Sequence, residues 1–260
     1  MAAPTLPGAA LVTGAPKRLG RAIADMLVAR GYALALHHRN SDDDAEAFAA
    51  EIRAQGGKAH VLRADLGIDA EVTPMIGEAE QALGLPVTVL VNNASLFERD
   101  EWDTVTRESW DDHLNANLFA PMLLSQALAR ALPADRAGVI INLIDQRVWN
   151  LTPHFVSYTV SKTGLWSLTQ SLAMALAPRI RVAAIGPGPT LPSPRQSQAA
   201  FEAQWRATPL ERPVDPAEIA AAAAFILDTP SFTGQMIALD SGQHLGWRSA
   251  AAGANPADEE

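Results

Sequence analysis

The sequence contains no cysteine. Disulfides, thiolate nucleophiles and cysteine-ligated metals are therefore excluded, and no metal centre is expected. It also lacks any run of eighteen apolar residues, so no membrane-spanning helix is expected. The stretch from Met1 to Gly8 has no basic region ahead of an apolar one and does not read as a signal peptide. Cytoplasm is the expected compartment, with no membrane partner. Cations are in the minority: 20 Lys and Arg stand against 29 Asp and Glu, a net charge of -9. That balance argues against general nucleic-acid binding.

What is present reads as globular. The chain has 260 residues, 48 % of them hydrophobic and 19 % charged, enough to bury one large core. Short apolar runs alternate with helical periodicity along its length. Strands are expected at 9–13, 32–36, 59–62, 87–91, 138–144, 180–185 and 236–239. Between them, helices are expected at 18–29, 42–55, 69–83, 110–132, 156–177 and 215–227. In the first of these, Leu19, Ile23, Met26 and Leu27 share one face. In the last, Asp215 with Glu218 three residues on has the form of a capping box. Continuous apolar strands are those covered by helices on both faces. A single doubly wound Rossmann-type domain over residues 1–249, with a mostly parallel seven-stranded sheet, accounts for the pattern; a closed eight-fold barrel is the competing class. Residues 186–213 are rich in Pro, Gly, Ser and Gln. They read as an excursion from the core, either a substrate loop over about 189–213 or a plain surface loop. Residues 250–260 read as a frayed acidic tail.

The turn after the first strand runs Thr13-Gly14-Ala15-Pro16-Lys17-Arg18-Leu19-Gly20 straight into a helix. Gly14 lets backbone pass close to a pyrophosphate, the helix N-terminus offers amides to it, and Gly20 allows close packing on the sheet. The second strand ends in His37-His38-Arg39-Asn40. A site for NAD places a carboxylate here to bind ribose hydroxyls. This sequence places a guanidinium instead, flanked by the donors His38 and Asn40, which suits a 2′-phosphate and points to NADPH. Lys17 and Arg18 add positive charge. Asp65 and Leu66 follow the third strand, at a crevice edge where an adenine fits. Asn92, Asn93, Ala94 and Ser95 follow the fourth, where open sheets bind ligands.

Tyr158 and Lys162 are four residues apart on a helical stretch and share a face. A neighbouring ammonium lowers a phenol's pKa and makes it a usable proton donor; the same Lys is placed to hold a ribose. Asp145, after the fifth strand, either orients Tyr158 or shares its proton. Asn117, inside the helix beginning near Trp110, either disturbs the helix to hold a water or faces solvent.

These motifs together resemble the short-chain dehydrogenase/reductase family over nearly the whole chain. Its Tyr-x-x-x-Lys pair matches Tyr158 and Lys162, its helical Asn matches Asn117, and its Asn-Asn-Ala matches Asn92, Asn93 and Ala94. Its Pro-Gly near the nicotinamide matches Pro187 and Gly188. Two departures, Arg18 for a Gly and Asp145 for a Ser, resemble the pteridine reductases of that family. So do the His38-Arg39-Asn40 phosphate site and the segment from Asn92 to Phe97. The resemblance implies an NADPH-dependent oxidoreductase in which Asp145, Tyr158 and Lys162 form the catalytic set. Phe97 would stack on a pterin, and Arg18 and Ser95 would bind its polar edge and the cofactor phosphates. Hydride would pass to a ring C=N, with the proton coming from Tyr158 or from water held by Arg18 and Asp145. The resemblance further implies a homotetramer, with His244 to Arg248, Trp247 among them, near a neighbouring active site. Residues 189–192, Pro-Thr-Leu-Pro, depart from the subfamily's Gly-Leu-Ser run, leaving the substrate's size open. The alternatives are a carbonyl reductase or alcohol dehydrogenase with a non-pterin substrate, and a non-catalytic NADP-binding protein.

Overall fold

The structure, a computed structural model, describes residues 7–193 and 196–246. Its centre is an open sheet of seven strands: β1 (Ala9–Val12), β2 (Ala33–His38), β3 (Ala59–Arg63), β4 (Val87–Asn92), β5 (Gly138–Leu143), β6 (Ile180–Pro187) and β7 (Met236–Leu239). Their spatial order is β3-β2-β1-β4-β5-β6-β7, and all six neighbouring pairs are parallel. The sheet has two edges, β3 and β7, so the barrel alternative is excluded.

Period-two alternation explains how the strands are buried on both sides. In β1, Ala10 and Val12 join the layer containing Ile23 and Leu27 of α1 (Arg18–Ala29), Phe48 and Ile52 of α2 (Asp42–Ala54) and Ile219 and Ile226 of α9 (Pro216–Asp228). Ala9 and Leu11 point the other way. They meet Val72 of α3 (Asp69–Val72), Met75 and Ile76 of α4 (Met75–Leu83), Leu124 and Leu128 of α6 (Ala120–Ala131) and Leu172 of α7 (Val156–Ala175). Each fully buried Leu, Ile or Phe stabilises the fold by roughly 1.5–3 kcal/mol, so the two layers fix the sheet as a rigid platform. No helix among the described residues is long and apolar enough to cross a membrane.

Local chemistry decides where the elements differ from the sequence expectation. Residues 69–83 form two helices, because Pro74 supplies no amide to a continuous helix. The helix expected from Trp110 begins earlier, as α5 (Arg107–Leu114), where Thr106 and Ser109 form a reciprocal capping box. It then widens into one π-helical turn at Asn115–Phe119 before α6. The second strand continues through His37 and His38, both buried. The excursion at 189–213 carries a helix of its own, α8 (Gln198–Arg206), started by Ser197, whose hydroxyl accepts from the Ala200 amide. Asp215 and Glu218 form the expected capping box of α9. The domain end at 249, the tail at 250–260, and Trp247 and Arg248 lie outside the described residues.

Strand order reverses between β1 and β4. That places a crevice outside their carboxyl ends, into which the β1–α1 and β4–α5 connections open.

Candidate active site

The crevice divides into two adjoining clefts. The first, of about 490 Å³, runs from the β1–α1 turn across the ends of β2 and β3 to the segment after β4. Its floor is the glycine turn. Gly14 has φ of 65°, a region that favours glycine. A Cβ on Gly20 would lie 2.1 Å from the Gly14 carbonyl oxygen, so α1 can approach the turn this closely only with glycine there. Asn93 braces the same turn: its side chain donates to the Thr13 carbonyl at 2.8 Å, and its amide and that of Ala94 donate to Thr13 Oγ1, each at 2.9 Å. Asn93 and Ala94 thus line the cleft while shaping it.

The ends of β2 and β3 form its other wall. His38 is buried and accepts the Ser41 amide at Nδ1, 3.2 Å away. Arg39 and Asn40 are exposed along the rim. The Arg39 guanidinium is 3.8 Å from Asp65, whose other oxygen accepts the Gly67 amide at 2.8 Å; Leu66 is buried beside it. Lys17 also lines the cleft, with its ammonium 2.6 Å from Asp44 of α2. That exposed pair is worth little in water and leaves the ammonium within the cleft's field.

The donor set fits a dinucleotide carrying an extra phosphate. The first turn of α1 presents its amides to the cleft, because Lys17 at its N-cap makes no side-chain cap. Arg39 stands at the end of β2, and no carboxylate comes from β2 itself. His37, which nothing in its residue type or spacing singles out, ties three walls together. Its Nδ1 accepts the Gly14 amide at 3.2 Å and its Nε2 lies 3.0 Å from the Ala64 carbonyl. These partners fix the neutral tautomer with hydrogen on Nε2. Burial pushes its pKa down to about 4.

The second cleft, of about 270 Å³, continues past Arg18, Leu19, Asn93 and Ser95 to the ends of β5 and β6. Tyr158 Oη donates to Asp145 Oδ2 at 2.8 Å. The other Asp145 oxygen accepts the Arg147 amide at 2.8 Å, so both carboxylate oxygens are engaged. Lys162, buried in the next turn of α7, donates to the Leu143 carbonyl at 2.9 Å, and its Nζ is 5.8 Å from the Tyr158 ring centre. Burial lowers its pKa to about 8, with Asp145 opposing the shift. The ammonium is therefore charged at neutral pH.

Asn117 does not face solvent, and the helix is disturbed where it stands. It is buried in the π-helical turn and accepts the Leu96 amide at 2.8 Å and the Ser95 hydroxyl at 3.2 Å. It donates to the Leu96 carbonyl at 2.9 Å and to Ser161 at 3.1 Å. Ser161 stands between Tyr158 and Lys162, so this one amide ties the segment after β4 to the catalytic face of α7.

Phe97 forms a wall of the second cleft. It stacks on Phe155 with ring centres 4.5 Å apart and meets Tyr158 edge-on at 4.7 Å. Arg147 is buried against the pair, its guanidinium 4.9 Å from the Phe155 ring. In sequence Arg147 looks like any solvated cation, and nothing there marks its burial. Arg18 has φ of 54° and donates to the carbonyls of Leu191 and Pro192 at 3.0 and 2.8 Å. Its side chain therefore lies between the clefts and fastens the 189–193 segment. Gly188 packs where a Cβ would meet the Asp240 Cα at 2.6 Å, and Pro187 and Gly188 line the same cleft. The structure thus brings the expected residues of both clefts to one edge of the sheet.

Residues 8–203 match the model of the short chain dehydrogenase family. Among curated relatives, the 3-oxoacyl-[acyl-carrier-protein] reductase FabG of Staphylococcus epidermidis is 32% identical over 241 residues, covering 91% of this chain and 98% of the relative. Among solved structures, the FolM alternative dihydrofolate reductase 1 of Brucella canis, complexed with NADP, is 45% identical. It superposes with a TM-score of 0.87 over 93% of this chain and 96% of that one. FolM from Brucella suis, also with NADP, is 45% identical with a TM-score of 0.89, over 93% of this chain and 97% of that one.

Proposed function

This chain belongs to the short chain dehydrogenase family, and we propose from that footing that it is an NADPH-dependent reductase of dihydropterins. The carrying observation is the Tyr158–Asp145 hydrogen bond at the end of a cleft walled by Phe97. The similarity to FolM structures holding NADP supports the reading.

In the first cleft, Arg39, His38 and Asn40 would hold a 2′-phosphate, the α1 amides with Arg18 and Lys17 the pyrophosphate, and Asp65 and Leu66 the adenine. NADPH held there would supply a hydride to the carbon of a ring C=N. In the second cleft a flat pterin lies along Phe97, with its polar edge towards Ser95 and Arg18. Tyr158 gives its proton to the ring nitrogen, completing the addition of one hydride and one proton. The Lys162 ammonium stabilises the phenolate left behind, and Asp145, open to the cleft, returns a proton from solvent. The pair also holds the phenol in place before transfer, which is the orientation that proton donation needs. The carbonyl-reductase reading, which the FabG relatives represent, is separated from the pterin reading by the substrate panel below. The chain acts as a homotetramer in this proposal, checked by light scattering on the eluted protein.

The test is NADPH oxidation with dihydromonapterin, dihydrobiopterin and dihydrofolate beside a ketone panel, with NADH as control. Turnover of dihydropterins with NADPH is expected; turnover of ketones alone would overturn the pterin reading. Arg39→Glu should weaken NADPH binding about 10–100-fold, roughly 1.4–2.7 kcal/mol, and leave NADH binding nearly unchanged. Equal losses would remove Arg39 from the phosphate site.

A further inference from the structure

Asp100, Ser157 and His113 form a buried polar cluster behind the second cleft and take no part in the chemistry above. Asp100 lies in the β4–α5 connection, where an acidic residue is ordinarily solvated, yet it is 4 % exposed; His113 and Ser157 are fully buried. Charged groups are retained in such places only when their donors are supplied. Here they are. Asp100 Oδ1 accepts the Ser157 amide at 3.1 Å. Its Oδ2 accepts the Ser157 hydroxyl, in a short contact, and the Ser109 hydroxyl at 3.2 Å. Its backbone carbonyl accepts the Phe155 amide at 2.9 Å. His113 Nε2 accepts the Glu98 amide at 3.1 Å, which places its hydrogen on Nδ1, 2.7 Å from the Ser157 oxygen and 2.9 Å from the Ser109 carbonyl.

Asp100 therefore does for α7 what a local N-cap residue does elsewhere. Phe155, the residue at that cap, has φ of 58° and no capping side chain. The carboxylate arrives instead from 57 residues away and accepts the Ser157 amide, while the Asp100 backbone carbonyl accepts the Val156 amide at 3.4 Å. Tyr158 is the third residue of that helix. Phe155, just outside it, is the ring on which Phe97 stacks. The Asp100 carboxylate thus holds the first turn of α7 through Ser157, its backbone carbonyl holds Phe155, and His113 ties Ser157 to the chain carrying Phe97 and Glu98.

We propose that Asp100, acting through Ser157 and His113, is a positioning residue that registers the proton donor Tyr158 against the aromatic wall Phe97–Phe155. It serves the substrate cleft; the cofactor cleft is walled by the β1–α1 turn, the ends of β2 and β3 and the first residues after β4. The inference rests on the reductase reading only for the choice of substrate in its test.

Asp100→Ala and Asp100→Asn are compared with the parent chain for melting temperature, NADPH dissociation constant, and kcat and KM with a dihydropterin. Small misplacements of a reacting group are expensive. Asp100→Ala should lower kcat by about tenfold or more and raise the pterin KM, with NADPH affinity kept within about twofold. Asp100→Asn keeps an acceptor for the Ser157 amide and lets the hydroxyls reorient, so it should restore most of kcat. If Asp100→Ala fails to fold, Ser157→Ala removes one hydroxyl and should show the same split on a smaller scale. Unchanged kcat and KM per folded enzyme would overturn the proposal, as would NADPH affinity falling in step with turnover. A parent chain inactive on every dihydropterin would overturn the substrate reading alone. The network is then judged by the same ratios on a ketone the chain does reduce.

Discussion

Asp145 shows how one residue changes what its neighbours do. Its carboxylate accepts from the Arg147 amide with one oxygen and from Tyr158 with the other, 2.8 Å from the phenol oxygen. Asp145→Asn keeps the size and an acceptor but removes the charge and the capacity to return a proton. With dihydropterin and saturating NADPH, kcat should fall about 10²–10⁴-fold, the usual contribution of a positioned acid or base. The pterin KM should change far less; a loss confined to KM would make Asp145 a binding group only. Tyr158, Lys162 and Asp145 were legible in the sequence because their chemistry shows in residue type and spacing. His37 and Arg147 were not. A buried imidazole and a buried guanidinium read like solvated ones until chain segments far apart close over them.

Elements carry the placement of these residues, and their irregular points matter most. The π-helical turn at Asn115–Phe119 carries Asn117, whose amide joins Leu96 to Ser161. Widened turns of this kind recur at functional sites, but nothing in a run of helix-forming residues announces one. The close approach of α1 to the β1 turn was legible, because Gly20 stands in its first turn. Gly20→Ala puts a Cβ 2.1 Å from the Gly14 oxygen and 2.7 Å from the Asn93 amide nitrogen. Backbone cannot yield as a flexible side chain does, so about 1–3 kcal/mol of stability should be lost. At about 2–4 °C per kcal/mol for a chain of this size, calorimetry should show a drop of several degrees. NADPH affinity should fall as well, since the displaced turn is its cradle. A variant with parental melting temperature and affinity would show that α1 can withdraw from the turn at no cost.

At the scale of the whole molecule, the alternation of apolar strands and amphipathic helices made the doubly wound sheet legible. The strand order that opens the crevice between β1 and β4 follows from parallel pairing and helix coverage on both faces. The course of residues 189–213 was not legible, because its polar composition hides the α8 turn signals among loop residues. Stability against pH is a property of this whole assembly, and His37 gives it a sign. Folded, His37 is neutral down to about pH 4, with burial the largest cause; unfolded, it takes a proton near pH 6.5. Between those values the unfolded chain binds more protons, so its share of stability is complete above about pH 6.5 and is lost as pH falls towards 4. The shift corresponds to roughly 3 kcal/mol. Lys162 acts in a separate window. Its folded pKa of about 8 lies below the ordinary lysine value of 10.5, so stability rises with pH from about 8 to 10.5 by the same rule. Denaturant titrations every half unit from pH 7 to 4 should show this loss in the parent chain. His37→Gln supplies an acceptor for Gly14 and a donor for Ala64 without a titrating group, so its curve should be flatter over that range. If the two chains lost stability in parallel, the acid sensitivity would lie with the carboxylates and not with the imidazole beneath the cofactor turn.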